Sequence, residues 1–382
     1  MRAASSGILE TALLTFALLI AIEAFESGNT IKAFLLASPP IGLIATLFVV
    51  PLMRRLKRTV TRMAMEINLV GACGFFVAAT FSNSIWCYAI GLSLGFVCSS
   101  LQIPLHTHWL RSNYPAKDRG RLFGGASFVR AVSSMIFGLL GGWMLERDFT
   151  SYPTLIAIFG CCMLFSAFAI SRLPVPSYAP AATPGLFQAM KWIRIDRRFR
   201  WVLISAMAMG FGVLTSAALR VDYVANPEFG LDFSETRVAL LTSTLPALMR
   251  ILTTFFWGIM FDRINFIVLR IVLNIFFGLS LFLYFWTEQF WVIAIGAALA
   301  GVARGGGEIV WNLWVTKLAP EDHTADYMSV HTFLTGLRGF MAPFLGFSVV
   351  AALSLDGMIF MCLGFILLSI LILVPLARNW EK

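Results

Sequence analysis

Apolar stretches about 20 residues long recur twelve times in this chain, separated by short polar loops. A helix of that length crosses the roughly 30 Å hydrocarbon layer of a membrane. Inside lipid it also satisfies its own backbone N–H and C=O groups, which no open sheet or irregular segment does. The expected class is therefore an all-α polytopic membrane protein. The runs cover residues 8–26, 31–52, 63–81, 85–110, 122–145 and 152–171, then 200–221, 235–257, 266–286, 290–315, 326–351 and 356–376. Residues 8–26 read as the first span rather than a signal peptide, because no small-residue cleavage site follows them. Pro39 and Pro40 predict a kink in the second run. Composition agrees with this class: 59% of residues are hydrophobic, 13% are charged, and the mean hydropathy is +0.82.

The net charge of +9 is explained by topology. If the even-to-odd loops and both termini face the cytoplasm, that side holds 21 of the 29 Lys and Arg residues and the other side 4. The bias predicts a multi-pass cell-membrane protein with both termini cytoplasmic, in contact with membrane lipid, and calls for no nucleic acid. Residues 172–199 differ from the rest. PVPSYAPAATPG is proline-rich and cannot span, and LFQAMKWIRIDRRFR suits a basic helix lying in the membrane interface or a solvated connector. The six cysteines sit in apolar runs without metal or disulfide spacing. No nucleophile–base set, phosphate-binding loop or metal motif is present, so neither an enzyme nor a bound cofactor is expected.

The two halves repeat. WCYAIGLSLGFV at 86–97 aligns with WVIAIGAALAGV at 291–302, and the same offset pairs Trp109 with Trp314 and Pro115 with Pro320. This predicts two six-helix pseudo-symmetric bundles, residues 1–171 and 200–382, joined by the linker 172–199. Parallel repeats of this kind place a substrate site at their interface.

On these features the chain resembles the major facilitator superfamily. Gly258, Asp262 and Arg263 match the family's G-x-x-x-D-R signature in the loop after the eighth helix, and Arg119-Gly120-Arg121 resembles the loop between helices four and five. The first-half copy departs from the pattern, with Val50 in place of the Gly and Arg54 in place of the Asp, while Arg55 keeps the basic partner. The resemblance implies that Asp262 and Arg263 latch one conformation. It also implies that helices 1, 4, 7 and 10 line a central cavity, with 2, 5, 8 and 11 beside them. SLGFVCSSLQIP lacks the arginine motif usual in helix four of proton antiporters.

Setting aside those counted with the loops, four arginines fall inside apolar runs: Arg130, Arg250, Arg304 and Arg338. An ionised group at bilayer depth faces the protein or a wet cavity, and Arg304 and Arg338 lie about 20 Å from the starts of their helices. Arg304, Glu308 and Asn312 share one helix face, as do His331, Thr335 and Arg338. Arg304 with Glu308 forms either a structural ion pair or a proton acceptor held ionised by an arginine. Gly305, Gly306 and Gly307 expose backbone to a substrate or to another helix. Arg338 has no carboxylate within one turn, which makes it the best candidate for anion contact or else a link to backbone carbonyls. Arg130, with Ser127 and Ser134 on its face, and Arg250, with Pro246 and Thr254, are ligand groups or contacts between the halves. His331 titrates near neutral pH unless it is structural. Glu10 and Glu23 read as solvated helix ends, His106 and His108 as interfacial, and Trp311 and Trp314 as ligand-facing or packing residues.

The expected function is a secondary transporter working by alternating access on a small organic anion. Arg304, Arg338, Arg130, Arg250 and Asn312 would bind the substrate, and protons would couple through Glu308 or His331. A polyspecific exporter of lipophilic compounds is the alternative, followed by a transporter-fold sensor or scaffold.

Overall fold

The computed structural model describes residues 2–113, 116–174, 189–320 and 323–378. Among these residues there is no strand, and twelve helices are long and apolar enough to cross a membrane. They are α1 (Arg2–Glu23), α2 (Asn29–Val49), α3 (Val60–Thr80), α4 (Ile85–His106), α5 (Gly124–Arg147), α6 (Phe149–Ser171), α7 (Arg197–Ala225), α8 (Glu235–Arg263), α9 (Phe266–Phe285), α10 (Phe290–Trp311), α11 (Asp326–Leu353) and α12 (Leu355–Arg378). Side-chain oxygens cap several starts: Thr59 accepts from the Arg62 N–H, Ser84 from Cys87, Asp196 from Phe199 and Asn265 from Ile267. Helix α2 runs unbroken through Pro39 and Pro40. Helices α1 and α8 each contain one π-helical turn, Ala12–Phe16 and Leu240–Thr244.

The contacts divide the chain into two compact units. One groups residues 1–183 with 224–244, and the other groups 184–223 with 245–382. The first unit thus includes the start of α8, where Thr242 and Thr15 share a 2.6 Å hydroxyl–hydroxyl hydrogen bond at the two π turns. Within the first unit α1 packs on α5 and α6, α2 on α4, and α3 on α4 and α6. Within the second, α7 packs on α11 and α12, α8 on α10, and α9 on α10 and α12. Helix for helix, the pairings are the same.

The repeated residues explain that identity. A Cβ on Gly91 would lie 2.5 Å from the Gly74 carbonyl oxygen, and one on its repeat mate Gly296 would lie 2.7 Å from the Tyr284 nitrogen. Each glycine lets the fourth helix of its unit touch the backbone of the third. Trp86 and Trp291 are exposed at the starts of α4 and α10, the position of an aromatic belt residue. Trp109 and Trp314 are both buried at the other end.

The linker's described part contains a five-residue helix, Lys191–Ile195. Trp192 docks on the start of α11, donating its Nε1–H to Asp326 at 3.1 Å and lying 4.5 Å from the His323 ring and 5.4 Å from the Tyr327 ring.

Candidate substrate site

Helix α11 carries the most unusual side chains. His331, Thr335 and Arg338 share one face, as their spacing predicts. His331 and Arg338 are buried, with only 3% and 8% of their surfaces exposed. The Arg338 guanidinium reaches α7, where Nη1 donates to the Ala206 carbonyl. Gly210 leaves room for it, since a Cβ there would fall on the guanidinium itself. Arg338 Nε, Thr335 Oγ1 and both His331 ring nitrogens have no hydrogen-bond partner among the described residues. Instead, His331 lies between the rings of Trp311 at 5.6 Å and Trp314 at 5.2 Å.

Two further buried arginines belong to this unit. The loop charge count places both with the loops, whereas both lie inside helices. Arg270 is 4% exposed in the second turn of α9, with its guanidinium 5.7 Å from the Trp314 ring centroid. Arg220 is buried near the end of α7, donates to Ser280 at 2.9 Å and covers the Tyr284 ring at 4.7 Å. Charges at the ends of apolar runs look like boundaries, but here the helices continue past them and aromatic faces take up the cation. A run of small and aromatic neighbours on the facing helices is the signal that could have found them. With these two removed, Lys and Arg still divide 20 against 3 between the two sets of loops.

On α10, Arg304 and Glu308 are half-buried, and Arg304 lies within electrostatic reach of Arg220 and Tyr284. The Asn312 side chain lies outside the described residues. The neighbouring glycines serve helix packing. Gly301 and Gly305, four apart, face Pro246, Met249, Thr253 and Thr254 of α8, and Gly306 faces Trp257 of α8 and Leu273 of α9. Arg250 is half-buried on α8, and its carbonyl accepts from Thr254 at 2.6 Å.

Arg130 lies in the first unit, 3.7 Å from Glu10 of α1. Glu10 is therefore the counter-ion of a helix-5 arginine and not merely a solvated helix end. His106 stacks on Trp109 at 6.3 Å and, with Arg2 and Gln102, lines a small pocket between α1, α3, α4 and α6. The His108 side chain lies outside the described residues. Among the described residues no cluster of His, Cys, Asp and Glu could hold a metal ion.

The family model described as Major Facilitator Superfamily matches residues 3–343, and again 221–380. The chain belongs to the major facilitator superfamily. Solved structures on the same fold include a variant of the nucleoside transporter NupG (TM-score 0.71, 11% identity, 100% of this chain and 98% of that one). They also include a D-xylose-proton symporter (0.68, 16%, 97% and 95%) and the human organic anion transporter MFSD10 (0.68, 14%, 97% and 97%). No curated protein sequence matches the chain. Membership of the superfamily, with twelve apolar helices, makes this a multi-pass membrane transporter.

The superfamily signature falls at the end of α8. Asp262 and Arg263 are exposed and form no ion pair with a described residue, and Gly258 has open space before Ile309 at 3.9 Å. The Arg119 and Arg121 side chains lie outside the described residues.

Proposed function

We propose that this superfamily member is a secondary active transporter of small organic anions. It works by alternating access in the cell membrane, with both termini cytoplasmic. The observation that carries the reading is Arg338, a buried guanidinium whose one hydrogen bond among the described residues goes to a backbone carbonyl. A buried charge without a counter-charge is costly, and a carboxylate or phosphate group that enters beside it supplies what is missing. Arg304, Arg250, Arg130 and Asn312 are the further substrate-binding candidates, and Gly258, Asp262 and Arg263 the conformational latch.

Proton coupling runs through Glu308 on α10 or His331 on α11. An anion and a proton taken up by one buried cluster neutralise each other, so binding of either favours the other. Both parts of the reading occur on this fold, since one neighbour is an organic anion transporter and another a proton symporter.

The test is a thermal-shift screen of purified protein against libraries of organic anions and cations. Small organic anions should raise the melting temperature, at 100 times Kd by the equivalent of about 2.7 kcal/mol, and Arg338→Ala should abolish the gain. Stabilisation by lipophilic cations alone would assign the chain as an exporter of lipophilic compounds instead.

A further inference from the structure

Apart from Thr215 Oγ1 and Arg220 Nε, the unsatisfied buried donors of the second unit gather around Trp314 and along α11. Arg270 Nε, Trp314 Nε1, both nitrogens of His331, Thr335 Oγ1 and Arg338 Nε are all buried without a hydrogen-bond partner among the described residues. Native proteins leave few such atoms, and a cluster of them marks a missing ligand, ion or water. Trp314 ties the cluster together, with the Arg270 guanidinium 5.7 Å from its ring on one side and His331 at 5.2 Å on another. Thr335 and Arg338 continue the same face along α11, one and two turns beyond His331.

Two acids of this unit, Asp196 and Asp326, are engaged elsewhere. Asp196 caps α7 through the Phe199 N–H and accepts from the Tyr327 hydroxyl at 2.8 Å. Asp326 accepts from Trp192 and lies 3.2 Å from His323. Arg220, the unit's other buried arginine, has a hydroxyl partner in Ser280. Among the described residues Arg270 meets an aromatic face and no hydrogen-bond acceptor at Nε.

We infer that Arg270, Trp314, His331, Thr335 and Arg338 form one anion site inside the second unit, built for a doubly charged oxyanion. The inference rests on the anion-transport reading and narrows its substrate class. Two guanidiniums supply two positive charges and forked donors, which match a phosphate monoester or a pair of carboxylates better than a single carboxylate. The indole N–H, the imidazole and the hydroxyl add neutral donors for the remaining lone pairs.

Phenyl phosphate and phenyl sulfate separate charge from shape. Both are tetrahedral aryl esters, and at about pH 7.5 the first is mostly dianionic and the second singly charged. Full-length protein should be stabilised more by phenyl phosphate. Arg270→Gln and Arg338→Gln should each lose that preference and weaken phosphate-ester binding about 30-fold or more. Arg270→Lys, which keeps the charge, should retain the preference and shows that loss in Arg270→Gln is not misfolding. Succinate serves as the dicarboxylate arm, and if it binds more tightly than phenyl phosphate with the same Arg270 dependence, the site takes dicarboxylates. Equal stabilisation of the unmodified protein by both esters overturns the site, as does a preference that survives in Arg270→Gln. Failure of the broader reading looks different, because then no anion of either charge stabilises the unmodified protein.

Discussion

The same helix pair is built twice in this protein, and the two copies treat their arginine differently. In the first unit α1 packs on α5, and Arg130 of α5 lies 3.7 Å from Glu10 of α1. In the second α7 packs on α11, and among the described residues Arg338 of α11 donates to the Ala206 carbonyl and lies against the bare backbone of Gly210, with no carboxylate partner. The buried tryptophans at the repeat offset differ in the same sense. Trp109 donates to the Pro174 carbonyl at 3.0 Å, whereas Trp314 Nε1 has no partner among the described residues. Duplication has kept the packing and let the polar chemistry diverge. One copy pairs its arginine with a carboxylate, and the other, on the reading proposed above, keeps charge and donors for a bound anion.

The strongest way to break this comparison is at the glycines that bring each pair together. A Cβ on Gly7 would fall on the Arg130 carbonyl oxygen and 2.9 Å from Ser133 Cβ, so Gly7→Ala must push two helix backbones apart. The expected loss is about 2–3 kcal/mol, read from thermal unfolding in detergent. A Cβ on Gly210 meets the far end of a long side chain instead. Gly210→Ala should therefore cost less stability while displacing Arg338 and removing stabilisation by anions. Adding Arg338→Ala to Gly210→Ala should recover the stability but not the anion response. If both glycines behave alike, the two helix pairs are not differently used.

A smaller effect is expected at the ion pair. Glu10→Gln leaves Arg130 without its carboxylate, but the two side chains are 33% and 22% exposed, so solvent screens the loss. About 1 kcal/mol is expected. Because Gln keeps the size of the side chain, a loss much larger than that would mean that Arg130 is effectively as buried as Arg338.

Much of this architecture was legible in the apolar runs, because lipid tolerates few other patterns. The repeat was legible in Trp86, Gly91 and Trp109 with Trp291, Gly296 and Trp314, since glycines at helix contacts and tryptophans at helix ends answer to position rather than to composition. The face shared by His331, Thr335 and Arg338 followed from helical spacing alone. Arg220 and Arg270 did not, because a charge at the edge of an apolar run reads as a loop residue whether it faces water or turns inward onto Tyr284 or Trp314. Glu10 was missed for a related reason. Its partner lies 120 residues away on another helix, and no periodicity within α1 reports a contact with α5. The triple glycine 305–307 could equally have served a ligand, and only the placement of α8 and α9 shows that Gly305 and Gly306 are filled by neighbouring helices.

The smallest effect gives the sharpest test, because it compares equivalent residues under the same substitution. Trp109→Phe removes a donor and leaves the Pro174 carbonyl without that partner, at a cost of about 1 kcal/mol. Trp314→Phe removes an indole N–H that has no partner among the described residues, and deleting an unsatisfied buried donor is neutral or slightly stabilising. Both substitutions keep an aromatic ring, so the stacking of Phe199 on residue 314 and of His106 on residue 109 can persist. In the absence of ligand, the melting temperature should fall for the first variant and hold or rise for the second. With a saturating anion the order should change, since Trp314→Phe then forfeits a donor to the ligand while the Trp109→Phe deficit stays fixed. Equal losses without ligand would show that the Trp314 N–H is already satisfied, and the second unit would then have no more use for a bound anion than the first.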